Sequence, residues 1–258
     1  MSEIRLAIAG VGNCASAFIR GLYYYKNSKN TIGLIYPEMG GYKPSDIKVV
    51  AAFDVDERKV GKDLSEAICE KPNCTINFQD VPFMNVEVVM GPLLDGVPDH
   101  LKKFIKVSEK PAVDITKVLK DTRTDVLINI IPTGSTRATR AYADACIKHA
   151  KVAFVNGIPE MIASSKEYSR IASENGVPLI GDDFKSQIGT TLLHRNLIST
   201  LLDRGMRIDK MYQYNFAGNA DFANLENRGE TKEVTKKTAL RAELPYIDDF
   251  PWFCTHVY

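Results

Sequence analysis

The sequence predicts an α/β protein with a doubly wound parallel sheet, followed by a smaller α+β domain. First, a short apolar run, Ile4 to Ala9, leads through a glycine turn into residues with helical spacing. Second, segments with strand and helix patterns alternate along the chain, which favours parallel strands joined by helices. Third, this alternation ends near Gln187. We therefore predict a first domain over residues 1–187 and the start of a second over residues 188–258.

Each element is predicted from its periodicity and its bounding glycines and prolines. Strands are predicted at Ile4–Ala9, Val49–Phe53, Asp125–Ile131, Val152–Val155, Val177–Ile180 and Lys210–Phe216. Helices are predicted after the glycine turn and at Arg58–Ile68, Arg137–His149, Lys166–Asn175 and Ile188–Leu202. Gly176 should end one of them in the left-handed conformation. Segments rich in glycine and proline, Asn27–Asp46 and Lys71–Asp99, are predicted to be irregular.

The composition narrows the class of partner. The net charge is +1, so no global field favours nucleic acid or an anionic membrane. No apolar run approaches the length of a membrane span, and the N-terminus enters a strand pattern directly without the features of a signal peptide. Five scattered cysteines lack a metal-binding spacing. We expect a cytoplasmic protein with free thiols that binds neither nucleic acid nor membrane.

The glycine turn has the pattern Gly10-x-Gly12-x-x-Ala15, which is the dinucleotide-binding fingerprint in its alanine variant. The strand before it and the helix after it are the context that the motif requires. A pyrophosphate would bind the backbone N–H groups of Asn13, Cys14 and Ala15 at the helix N-terminus. The motif predicts a Rossmann-type domain. The competing interpretation is a glycine turn in a flavodoxin-like sheet that binds no dinucleotide.

The acidic residue at the end of the second strand indicates which dinucleotide binds. Asp54 is placed to accept from both ribose hydroxyls, and its charge would repel a 2′-phosphate, so NAD is favoured over NADP. It lies farther from the glycines than usual, because the loop at Asn27–Asp46 intervenes.

Other polar residues follow later strands, where ligands bind in such sheets. The predicted cofactor contacts are Asn129, Pro132, Gly134, Ser135, Asn156 and Asp182. Asp182 has an alternative role as a helix cap.

Five ordered segments resemble one family closely. They are Gly10 to Ser16, Phe53 to Leu64, Asn129 to Ser135, Phe154 to Pro159 and Gly181 to Gln187. Through them the chain is similar to inositol-3-phosphate synthase (myo-inositol-1-phosphate synthase) of the shorter archaeal and bacterial type. The resemblance implies an NAD-dependent isomerase, commonly a homotetramer, that converts glucose 6-phosphate into inositol phosphate. Oxidation at C5, enolisation, aldol closure and re-reduction would regenerate NAD in each turnover. Relatives of this type often use a divalent cation, for which the sequence specifies no ligands.

The resemblance also implies the residues that carry the chemistry. Lys232 and Lys236 match active-site lysines, and the i, i+4 spacing places both on one face if this stretch is helical. Lys236 would also bind the phosphate, together with Ser186 and Gln187. Asp183 and Asp221 match carboxylates near the reacting sugar. A lysine run is otherwise typical of a solvated face.

The family motifs are not found beyond about Leu240, and the tail Glu243 to Tyr258 matches no motif of the family. From this we expect two further lysines and the closing elements of the fold to be missing, and turnover to be slow. The alternatives are a non-catalytic NAD-binding fragment or subunit and a simple NAD-dependent dehydrogenase, which would release NADH.

Overall fold

The computed structural model describes residues 3–185, 188–228, 230–249 and 251–257. The chain divides into two compact units, Met1–Asp182 and Asp183–Tyr258. The domain boundary near Gln187 stays a prediction, because Ser186 and Gln187 lie outside the described residues.

The first unit is built on a parallel sheet of six strands. They are β1 (Ile4–Ala9), β2 (Ile47–Asp54), β3 (Val88–Met90), β4 (Val126–Asn129), β5 (Ala153–Asn156) and β6 (Leu179–Ile180). Their spatial order is β3-β2-β1-β4-β5-β6, with every neighbouring pair parallel. This is the order of a doubly wound dinucleotide-binding sheet. The predicted fold class is confirmed.

Helices connect the strands. The α-helices are α1 (Asn13–Asn27), α2 (Leu64–Ala67), α3 (Asp99–Lys102), α4 (Ile115–Asp121), α5 (Thr136–Asp144) and α6 (Lys166–Asn175). A 3-10 helix covers Pro44–Asp46, and a π-helix at Ala145–Ala150 extends α5. Gly176 ends α6 at φ 64°, as predicted. Within the described residues, no helix is long and apolar enough to cross a membrane.

Both faces of the sheet are buried. On β1, Leu6 and Ile8 pack with residues of α1 and α2, whereas Ala7 and Ala9 pack with residues of α4, α5 and α6. Successive strand residues point to opposite faces, so a strand covered on both sides is apolar throughout. This accounts for the uninterrupted apolar run in the sequence.

The helix predicted at Arg58–Ile68 was wrong over its first half. The carbonyl of Asp56 accepts from the N–H groups of Lys59 and Val60 in a turn. Gly61 follows at φ +93°, a left-handed conformation that ends helical structure, and only Leu64–Ala67 is helical. The prediction of an irregular Lys71–Asp99 was wrong at β3. That strand is only three residues long, and it forms because it pairs with β2, which lies far away in the sequence.

The second unit contains three helices and a two-stranded parallel sheet. Its elements are α7 (Thr190–Asp203), β7 (Met211–Phe216), α8 (Ala220–Arg228), α9 (Glu230–Arg241), a 3-10 helix (Ile247–Asp249) and β8 (Trp252–Val257). Its core is formed by Ile198, Met211, Leu240, Leu244 and Ile247. The tail, to which the sequence assigns no structure, supplies β8, which pairs with β7 from Met211↔Trp252 to Phe216↔Val257.

Candidate functional site: the carboxyl edge of the sheet

The predicted cofactor residues meet at one edge of the sheet. Ala9, which precedes the glycine turn, is paired with Phe53 on one side and Asn129 on the other. Asn129 is paired in turn with Asn156. Four parallel strands therefore end in register, and the residues that follow them share one edge, where such sheets bind ligands.

Gly10 and Gly12 serve different purposes in the turn after β1. Gly10 has φ +95°, and a Cβ there would lie 2.7 Å from the carbonyl oxygen of Ile130, so the fold itself requires glycine. Gly12 has φ −99° in the extended region, and a Cβ there would meet nothing described within 4 Å. The fold thus needs Gly10, whereas the open space at Gly12 is available to a ligand.

The N-terminus of α1 is suited to an anion. Its N-cap is Gly12, which has no side chain to accept from the first N–H groups, and its first turn contains no acidic residue. The helix dipole and these N–H groups favour a phosphate at this end. Asn13 is held in place because its Oδ1 accepts from the N–H of Cys74 at 2.8 Å and its carbonyl from Thr75 Oγ1 at 3.0 Å.

The carboxylate of Asp54 contacts the glycine turn directly. Its Oδ2 accepts from the N–H of Val11 at 2.8 Å, and its Oδ1 accepts from Val55 and Asp56 at 2.7 and 2.9 Å. A carboxylate has about four acceptor positions. Counting donors from the described residues only, one position remains on Oδ2. The carboxylate can therefore accept from a further donor, and its contact with both ribose hydroxyls stays a prediction.

Hydrogen bonds fix the orientation of the asparagines at the ends of β4 and β5. The amide nitrogen of Asn156 donates to the carbonyls of Ile158 and Glu160 and to Asp182 Oδ1. Its Oδ1 must then accept, and Asn129 Nδ2 donates to it at 2.9 Å. This leaves Asn129 Oδ1 buried, and the described residues offer it no hydrogen-bond partner. A buried acceptor without a donor is unusual in a native protein and is consistent with a ligand that donates.

The turn after β4 leads into α5. Gly134 has φ +82°, Ser135 is the N-cap, and the Ser135 N–H donates to the carbonyl of Pro132 at 3.2 Å. Asp95 accepts from the N–H groups of Arg137 and Ala138 at 2.9 and 2.8 Å. A carboxylate therefore already occupies the N-terminus of α5, unlike that of α1.

Asp182, also predicted to contact the cofactor, binds the loop after β5. Its Oδ1 accepts from Ala163 N at 3.1 Å and Asn156 Nδ2 at 2.8 Å. Its Oδ2 accepts from Ile162 N and Ser164 N, both at 3.0 Å. Four protein donors fill the acceptor capacity of the carboxylate. The geometry favours a structural role, and the cofactor contact stays a prediction.

Glu160 lies in the same loop and has no role in the sequence prediction. It is buried, and its Oε1 meets no hydrogen-bond partner within the described chain. Burial raises the pKa of the Glu160 carboxyl above its ordinary value, and the negative charges of Asp95 and Asp182 act in the same direction.

In the second unit, the predicted catalytic residues lie on α8, α9 and the segment after β6. Lys236 on α9 is buried, and its Nζ contacts Cys254 Sγ of β8 at 3.6 Å. Lys232 lies one turn earlier on the same helix, as predicted, and its side chain is outside the described part. Asp183 is buried, with Lys185 Nζ 3.3 Å from its Oδ2, and Asp221 lies in the first turn of α8. The predicted phosphate contacts Ser186 and Gln187 fall outside the described residues.

A metal site cannot be assigned to the described ranges. They contain no group of three or more His, Cys, Asp or Glu side chains that could hold an ion. The divalent cation stays an expectation, and we derive no step through it.

Comparison with known proteins decides the family. A family model described as myo-inositol-1-phosphate synthase matches residues 189–251. Over 249 residues the chain is 45% identical to inositol-3-phosphate synthase of Corynebacterium glutamicum, covering 95% of this chain and 68% of that protein. The chain belongs to the inositol-3-phosphate synthase family. Membership of this family identifies the chain as an isomerase-type synthase.

Other relatives agree. The inositol-3-phosphate synthase of Mycolicibacterium smegmatis is 46% identical over 94% of this chain and 68% of its own length. The solved structure of a protein named Ari2 is 35% identical over 87% of this chain and 67% of its own, with a TM-score of 0.74. A myo-inositol-1-phosphate synthase-related protein from Thermotoga maritima, 24% identical with a TM-score of 0.76, covers 99% of this chain and 74% of its own and supports the fold.

These matches correct one sequence prediction. The family model matches to residue 251, past Leu240, where the family resemblance was predicted to end. The role of Lys59, which touches the glycine turn, was missed. It lies within a family-like segment, and its spacing alone does not show where its side chain points.

Proposed function

We propose that this member of the family binds NAD at the carboxyl edge of the sheet. The observation that carries the proposal is the N-terminus of α1, where the space at Gly12 is open and Asp54 lies beside the glycine turn. The backbone N–H groups of Asn13, Cys14 and Ala15 would bind the pyrophosphate, and Asp54 would accept from a ribose hydroxyl. Asn129 Oδ1 supplies a further acceptor.

We propose further that the protein converts D-glucose 6-phosphate into 1D-myo-inositol 3-phosphate. When bound, NAD supplies a reversible hydride acceptor for the oxidation and re-reduction at C5. The remaining steps need groups that move protons and stabilise negative charge on oxygen. We assign these to Lys232, Lys236, Asp183 and Asp221, as the resemblance implies.

Lys236 has the surroundings that such a role requires. It is buried and lies against Cys254. A cation removed from water interacts more strongly with an anion, since the local dielectric constant is lower. We propose that Lys236 stabilises the enolate or the phosphate and that Lys232 assists proton transfer at C5. Ser186 and Gln187 would contact the phosphate.

A single substitution tests the cofactor site with little effect on the fold. Gly12→Ala places a methyl group where the cofactor would lie, and no described atom stands within 4 Å of that position. We expect the affinity for NAD to fall at least about tenfold, on the scale of one lost backbone contact to a charged group, with only a small decrease in melting temperature from the less favourable N-cap. Gly21→Ala is the matched control on the same helix, because its Cβ also meets nothing within 4 Å. Equal NAD affinity in both variants would contradict the site.

The reaction is tested by incubating the protein with NAD and glucose 6-phosphate. We expect inositol phosphate to form without net NADH, since the hydride returns to the substrate. Accumulation of NADH without inositol phosphate would instead support a simple dehydrogenase. NAD binding without either product would contradict the synthase assignment.

We also propose that the chain assembles into a homotetramer. The aromatic side chains of Tyr212, Tyr214 and Phe216 on β7 are exposed, as are Leu193 and Leu197 on α7. Apolar patches of this kind are typical of interaction surfaces. Light scattering should give a mass above that of one chain. A monodisperse monomer that binds no dye specific for apolar surface would contradict it.

The compartment follows from the thiols. No disulfide joins any of the five cysteines: Cys14, Cys69 and Cys74 are exposed, and Cys146 and Cys254 are buried. Free exposed thiols persist in reducing compartments. We therefore propose the cytoplasm as the location.

A further inference from the structure

The peptide groups of Val11, at the centre of the glycine turn, are held on both sides by residues from the end of β2 and from the segments before and after α2. The Val11 N–H donates to Asp54 Oδ2 at 2.8 Å. The Val11 carbonyl accepts from Lys59 Nζ at 2.7 Å and from Asn73 Nδ2 at 3.4 Å. The backbone of a glycine-rich turn can adopt many conformations. Contacts on both sides of Val11 limit the conformations open to the glycine turn of this chain.

Lys59 is a buried cation. The residue is 5% exposed, and its Nζ lies 3.7 Å from Asp54 Oδ2. At that distance the two groups form an ion pair, whereas the short hydrogen bond goes to the Val11 carbonyl. Burying a cation is costly unless it is paired, and here a carboxylate and a carbonyl both pair with it.

The position of Lys59 is fixed by its own segment. Its N–H donates to the carbonyl of Asp56 at 3.0 Å, and the Asp56 carboxylate is in turn bonded by Arg58. The ammonium group thus lies beside the glycine turn because a tight turn directs the chain there after β2. Asn73 is anchored separately, through the carbonyl of Ile68 at 2.9 Å.

We propose that Lys59 is a positioning residue of the dinucleotide site. This inference rests on the proposed NAD function. Lys59 holds the Val11 carbonyl so that the following N–H groups of α1 face the pyrophosphate. Its charge also offsets that of Asp54, which would otherwise repel the pyrophosphate anions. A buried cation within roughly 10 Å of an anion changes its binding by on the order of tenfold at an effective dielectric constant near 20.

This role predicts a selective effect on ligands that carry phosphate. If Lys59 only stabilised the domain, its replacement would lower the affinity for every ligand by the same factor. If Lys59 positions the turn and balances charge, its replacement should lower the affinity for NAD, which contains the pyrophosphate. The same replacement should leave the affinity for adenosine nearly unchanged, because adenosine is uncharged and reaches only the ribose and base region.

The test uses Lys59→Met, which keeps the length of the side chain but removes its charge and its donor. The Kd of NAD is measured by calorimetry and that of adenosine by competition against NAD. We expect the NAD affinity to fall tenfold or more and the adenosine affinity to change less than about threefold, by the Coulomb scale above. The matched control is Lys62→Met, because Lys62 is half-exposed, lies on the same segment and pairs with Glu70 at 2.5 Å. It should bind both ligands as the unmodified protein does.

Asn73→Ala provides a second test that keeps the charge of Lys59. It removes the longer hydrogen bond to the Val11 carbonyl. The affinity for NAD should therefore fall about two- to threefold, while the affinity for adenosine does not change. Lys59→Met with unchanged NAD affinity, or with NAD and adenosine weakened equally, overturns the proposal. An unmodified protein that fails to bind NAD overturns the proposed function instead, and the two failures are therefore distinct.

Discussion

Asp54 and Asp182 are two carboxylates at the ends of strands in one sheet, and the chain uses them differently. Each accepts from three backbone N–H groups. Those of Asp182 come from a single loop, and the Asn156 amide takes its fourth position. One of the Asp54 donors is Val11 of the glycine turn, and one of its acceptor positions remains. The role of an acid at a strand end is thus set by the donors that other segments bring to it.

The largest effect that is confined to the fold should come from Asp182→Ala. The backbone N–H groups of Ile162, Ala163 and Ser164 would lose their acceptor together. We expect the free energy of unfolding to fall by about 2 kcal/mol, because the part-buried N–H groups of Ile162 and Ala163 would be left without a partner, whereas the exposed Ser164 can bond to water. Chemical denaturation measures this, with the exposed Asp121→Ala as the control. A stability equal to that of the control would show that this carboxylate is not structural.

Asp54→Ala should affect the cofactor as well as the fold, because the carboxylate lies beside the glycine turn and also pairs with the buried Lys59. We expect the NAD affinity to fall by about 1–2 kcal/mol, the scale of a hydrogen bond to a charged group. The preference for NAD over NADP should fall as well, because the carboxylate no longer opposes a 2′-phosphate. Calorimetry with both nucleotides decides it. Equal affinities for NAD and NADP in the unmodified protein would refute the role of Asp54.

The smallest effect should come from Glu160→Gln. Unlike Asp54 and Asp182, Glu160 leaves one carboxylate oxygen without a partner in the described chain, and burial raises its pKa. The folded state therefore binds the proton more tightly than the unfolded state does. The stability that this carboxyl contributes is full below the unfolded value, about 4.3, and is lost as the pH rises through the folded pKa.

Thermal unfolding across pH 4–8 tests this sign. The difference in melting temperature between Glu160→Gln and the unmodified protein should shift in favour of the variant as the pH rises. A difference that is independent of pH would show that the carboxyl titrates alike in the folded and unfolded states.

The sequence alone determined that the sheet is parallel and doubly wound and where the glycine turn lies. β1 and α6 were predicted to the residue, because an apolar run and a closing Gly176 are local signals. For Lys232 and Lys236 the sequence showed only the i, i+4 spacing, which puts them on one face if the stretch is helical, and the structure supplies that helix as α9.

The tertiary structure decided features that depend on partners distant in the sequence. β3 and β8 exist because β2 and β7 offer them hydrogen bonds, not because of their own patterns. The contact of Lys59 with Val11, 48 residues away, and the four donors of Asp182 appear only when separate segments meet. A side chain's type sets what it can bind, but the fold determines which atoms reach it and therefore whether it supports the structure or remains available to a ligand.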